Sequence, residues 1–156
     1  MQVTMKDELI AMILEHEDDL CEAWRERLSE TAYFAALRVV DHTHNPLRPL
    51  LQDMVRVMDG KLPMSDHLPG SAGAQRFQGV GMWRISLAQC VEVFITGEVV
   101  VRRWARGNLD ATDAEFLELF ELLNRTMHQL LRFYTVRYCE DCRYLLFSNE
   151  NPIAEL

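Results

Sequence analysis

The sequence is poor in the residues that build cross-linked, strongly basic or membrane-spanning proteins. Four cysteines in 156 residues are too few for a disulfide scaffold, and a chain of this length can bury a core without one. Only 16 lysines and arginines stand against 24 acidic residues, a formal net charge of −8. That deficit argues against nucleic-acid binding, which needs a basic face, and weakens any attraction to an anionic membrane surface. No run approaches the ~18 uninterrupted apolar residues of a spanning helix, so no membrane insertion is expected. The opening MQVTMKDELI lacks the basic start and apolar core of a signal peptide. A cytoplasmic location is the expectation. Also missing are a serine nucleophile elbow, a glycine-rich phosphate loop, an HExxH pair and a paired-carboxylate arrangement. The chain is therefore expected not to be an enzyme, and it implies no cofactor.

What is present is ordinary soluble composition, 49% hydrophobic and 26% charged, in a length that suits one domain over 1–156. The most apolar stretch runs from Ile85 to Trp104. It can be read as a hairpin, with Val91, Val93 and Ile95 alternating before a Thr96-Gly97 turn and Val99 and Val101 returning. Phe94 breaks that alternation, Thr-Gly is a weak turn pair, and no other strand is available to complete a sheet. The helical reading, with Leu87, Val91, Phe94, Glu98, Val101 and Ala105 on one face, is preferred. It describes a buried central helix in which Gly97 permits a close crossing.

The remaining elements read as amphipathic cover. Met5 to Leu28 forms one long helix, with Leu9, Ile13, Leu20, Trp24 and Leu28 on a stripe and a Thr4–Asp7 cap. Ser29 to Asn45 is less regular. Pro46 opens a helix carrying Leu47, Leu50, Leu51, Met54, Val55 and Met58, which Gly60 stops in a left-handed conformation. Lys61 to Gly73 reads as loop, and Ala74 to Trp83 as a short helix or turn. Gly107 ends the central helix, and Asp110 or Thr112 caps the last one, with Glu115 three residues beyond Thr112. There Phe116, Phe120, Leu123, Met127, Leu130 and Tyr134 form a heptad seam, assigned as the dimer or signalling helix. The predicted fold class is all-α, a helical bundle of four to six helices with a long C-terminal helix.

Candidate chemistry is sparse. Cys139-x-x-Cys142 could supply half of a zinc site or a dithiol switch, and His42-Thr43-His44 could complete a tetrahedral set. A surface-to-core boundary is the preferred explanation of the cysteine pair, and solvated turn residues that of the histidines, so no metal site is favoured. His128, beside the seam, is the candidate haem or ion ligand, against the simpler reading of an interface histidine. His16 is read as packing at the core edge. Arg102, Arg103 and Arg106 complement the helix C-terminus or hold an anion. A metal- or haem-binding helical protein using Cys139, Cys142 and a histidine is thus the alternative function.

The helix order resembles the N-terminal sensor domain of RsbR-type co-antagonists and related histidine-kinase input domains. The resemblance rests on Trp24 in the opening helix, a second helix ending near Gly60, and an Arg76-x-x-Gly79 step. It continues with Ser86-Leu87-x-Gln89 at the start of an apolar helix and a final helix rich in Leu and Tyr. Arg84 stands where that family commonly has glycine. The resemblance implies a homodimeric all-α bundle feeding a downstream kinase or regulator module, with 139–156 readable as a linker to it. The expected function is a non-enzymatic sensory or regulatory input domain of bacterial signal transduction.

Overall fold

The computed structural model describes residues 3–31, 47–63 and 87–148, the side chains of Leu87, Cys90 and residues 137–148 excepted. The expectations for Ala32 to Pro46, for Met64 to Ser86 and for the tail beyond Ser148 fall outside these residues. Those described form an all-α bundle: α1 (Met5–Glu15), α2 (Glu17–Ser29), α3 (Leu47–Met58), α4 (Leu87–Asn108) and the long α5 (Asp113–Ser148). Among them there is no strand, so the stretch from Val91 to Val101 is helix, and none of the helices is long and apolar enough to cross a membrane.

Local chemistry sets the helix ends. The Thr4 and Asp7 side chains and backbones cap each other at the start of α1, and Thr112 and Glu115 do the same before α5. Each box satisfies amides that have no partner inside the helix. At the end of α3, Gly60 has φ +77°, Gly60 N–H donates to Val57 O, and Lys61 N–H donates to Arg56 O. This is the two-bond stop that a left-handed glycine allows.

Packing closes α2, α4, α5 and α3 into a ring in which each touches the next, and α1 packs on all four. The pairings fix direction. Trp24 of α2 meets Val93 while His16 meets Trp104, so α2 and α4 run antiparallel. Asn124 of α5 meets Glu98 while Phe116 meets Arg106, so α4 and α5 do too. The core takes one stripe from each helix, including Leu9, Ile13, Leu20, Leu51, Phe94 and Leu130.

The closest approach is Trp24 against Gly97. The indole is 1% exposed, and its Nε1–H donates to the carbonyl of Val93 at 2.9 Å. A Cβ on Gly97 would lie 2.5 Å from Trp24 Cζ2, far inside van der Waals contact. The glycine therefore gives up helix propensity to seat the ring.

Three expectations need correction. The opening helix is two helices, broken at His16 (φ −109°, ψ 27°). No proline or glycine marks the break. It puts Glu17, Asp18 and Asp19 in the first turn of α2, where the positive end of the helix dipole favours carboxylates. Second, α4 is one wall of the ring and is not wrapped all round, since Ala88 and Ile95 are exposed. Third, Gly107 is helical, and α4 runs on to Asn108, whose side chain donates back to Trp104 O.

Gly97→Ala is predicted to destabilise the fold by about 1–3 kcal/mol in urea denaturation, because overpacking outweighs the roughly 1 kcal/mol gain in helix propensity. Combining it with Trp24→Phe should cost less than the two single losses added together. A stabilised Gly97→Ala would show that the ring does not require the glycine. A second prediction concerns the caps. The backbone N–H and then the hydroxyl of Thr112 hold the Glu115 carboxyl below its ordinary value. Its contribution is therefore fully present above that ordinary value and lost as pH falls through the lowered one. An NMR titration should find the Glu115 carboxyl depressed, and Thr112→Ala, which removes the hydroxyl but keeps the backbone N–H, should raise it only part of the way back.

Candidate functional site

The apolar stripe of α3 contains one residue that does not belong there. Asp53 lies between Leu50 and Val57 at helical spacing and is 2% exposed. A carboxyl cannot be left dry without hydrogen-bond donors, and α5 supplies one: the Tyr134 hydroxyl donates to Asp53 Oδ2. Tyr134 is itself 1% exposed. Its ring stacks on Phe94 of α4 at 5.6 Å and meets the edge of Phe133 at 5.1 Å. Three helices of the ring thus converge on one phenol, and the polar link spans α3 and α5.

A second constellation occupies the outside of the α4–α5 seam. Arg102 pairs with Glu98 at 2.6 Å, and Glu98 also accepts from Asn124 at 3.2 Å. The Arg102 guanidinium lies 5.2 Å from the Phe120 ring centroid. That of Arg106 lies 5.1 Å from Phe120 and 5.7 Å from Phe116. Cations over ring faces gain from the aromatic quadrupole, the more so when partly desolvated. Beside them Arg102, Leu117, Phe120, Glu121, Asn124 and Arg125 line an open groove of about 530 Å³.

The predicted residues scatter. In the heptad seam, Leu123, Met127, Leu130 and Tyr134 are buried within the chain's own core, while Phe116 and Phe120 are half-buried under the arginines. His128 is exposed on α5. Cys139 and Cys142 lie on the last turns of α5, with side chains outside those described, and His42 and His44 lie outside the described residues altogether. Among the described residues no three His, Cys, Asp or Glu side chains are grouped to hold a metal. His16 sits beside Trp104 with ring centroids 5.2 Å apart. Of the basic cluster, Arg102 and Arg106 cover the two phenylalanines and Arg103 is exposed.

Sequence reasoning missed the Asp53–Tyr134 pair. The signal was there on each side: a carboxylate inside an i, i+3, i+4 apolar stripe, and a tyrosine ending a seam of aliphatic residues. Each asks for a polar partner, but spacing alone does not say which. No family model matches the chain, and no curated protein or solved structure matches it.

Tyr134→Phe is predicted to cost about 1–3 kcal/mol, the range for removing a donor from a buried acceptor. Asp53→Leu with Tyr134→Phe should lose less than the two single changes together, giving a coupling of about 1 kcal/mol or more in a double-mutant cycle. Strict additivity would mean that the two groups do not interact.

Proposed function

We propose that the chain is a non-enzymatic sensory or regulatory input module of bacterial signal transduction, acting as a homodimer and passing a change of helix packing along α5 to a kinase or regulator. The observation that carries this reading is the buried Tyr134–Asp53 hydrogen bond between α3 and α5. Buried polar pairs add little net stability compared with apolar packing, and their best-attested role is to fix one register among several. A register fixed by a polar pair is released when that pair is weakened. The backbone of α5 runs on from Tyr134 to Ser148, roughly 21 Å at helical rise, so a shift at the latch is carried well along the helix.

The energetics suit a switch. A signal can move a two-state packing only by its differential affinity for the two states. About 1.4 kcal/mol, well within the worth of such a bond, shifts the ratio tenfold. The resemblance of the sequence to RsbR-type sensor domains points to the same role.

The test is a chimera in which α5 continues in heptad phase into the catalytic core of a histidine kinase. Tyr134→Phe and Asp53→Asn should each change autophosphorylation severalfold relative to the unaltered fusion, on protein whose helical content is unchanged. Equal activity in all three would remove the latch, and the signalling role built on it.

A further inference from the structure

The outward face of α5 carries charge in two blocks. From its first residue to Glu121 the ionisable side chains are Asp113, Glu115, Glu118 and Glu121; from there to Val136 the charged ones are Arg125 and Arg132. The helix dipole explains only the terminal part of this. Its influence falls off within the first and last turns, which accounts for Asp113 and Glu115. The exposed Glu118, Glu121, Arg125 and Arg132 stand in interior turns. Nor do they neutralise each other: among the described residues no ion pair joins Glu121 to Arg125, although a spacing of four suits one. The same face exposes two large apolar side chains, Leu117 at 67% and Val136 at 50%.

Between Asp113 and Val136 the helix is thus acidic first and basic after, an order complementary to itself in the antiparallel orientation. We infer that this face docks a second copy of the chain across a two-fold axis centred between residues 126 and 127 of α5. That register sets Leu117 opposite Val136 of the partner subunit, Glu121 opposite Arg132 of the partner subunit, and Arg125 opposite His128 of the partner subunit. Each contact occurs twice by symmetry, as an isologous interface requires. A parallel pairing would instead set Glu121 against its own copy and Arg132 against its own. The groove lined by Leu117, Glu121 and Arg125 opens beside this stripe and gives the partner's Val136 a recess. The buried seam from Leu123 to Tyr134 takes no part, so assembly leaves the core intact. The inference deepens the homodimeric reading above by naming its surface, and rests on that reading for its biological purpose alone.

The test uses the full chain in sedimentation equilibrium. The unaltered protein should be a monomer–dimer mixture whose dimer weakens with added salt, as screened charges require. Glu121→Arg and Arg132→Glu should each weaken dimerisation about tenfold or more, and the double charge swap should restore it. Circular dichroism checks that each variant is folded, and both substituted positions are on the surface. An unaltered chain that stays monomeric, a dimer indifferent to the single reversals, or a folded double swap that stays monomeric would each overturn the proposal. Oxidative cross-linking gives the direction. Leu117→Cys with Val136→Cys should yield a link between positions 117 and 136 of different copies, and a link from 117 to 117 would contradict the antiparallel register. A monomer whose chimera still responds at Tyr134 would remove this interface and leave the latch standing.

Discussion

The bundle depends on one ring seated on one bare stretch of helix. Trp24 buries its indole against α4 where Gly97 has no side chain and donates to the Val93 carbonyl one turn earlier. Apolar contact and hydrogen bond act at the same place, so the ring is held in both position and orientation. Removing a buried tryptophan from a core costs on the order of 3–5 kcal/mol, a large part of the marginal stability of a single domain. With α2 fixed on α4, the antiparallel course carries His16 to Trp104. α5 turns back along α4 through the short connection that Thr112 and Glu115 cap, and α3 fills the remaining side.

The opposite corner is built differently. Where α2 and α4 meet through an aromatic ring, α3 and α5 add a carboxyl and a phenol to their apolar contact. Such a pair discriminates between registers because every displaced register leaves a buried polar group unsatisfied. On the proposed function, the Trp24–Gly97 corner is the fixed one and the Asp53–Tyr134 corner the one that gives, with α5 common to the latter and to the outer charged face.

Much of this architecture was legible in the residues. Periodicity marked α3, α4 and α5, and the caps at Thr4 and Gly60 were visible because their chemistry is local, while the cap of α5 was narrowed to Asp110 or Thr112 and is Thr112. Gly97 was understood as a close-crossing residue, although nothing in the sequence said that Trp24 would fill the space. The break at His16 was hidden because no helix-breaking residue marks it. The direction of the α5 seam was ambiguous for a different reason. A heptad stripe looks the same whether it meets a neighbour in its own chain or a second copy, and here the intramolecular core takes it. Asp53 and Tyr134 are 81 residues apart, and a pairing at that distance is a property of the fold alone.

The division between a rigid and a conditional corner is most directly tested by native-state hydrogen exchange resolved along the chain. Amides of α4 from Val93 to Val101, and those of α2 around Trp24, should exchange only through global unfolding. Amides of α3 around Asp53 should open at lower free energy, and more readily still in Tyr134→Phe, while α4 holds its protection until the global limit falls. Protection at a single free energy across α2, α3, α4 and α5, falling uniformly in the variant, would contradict the account.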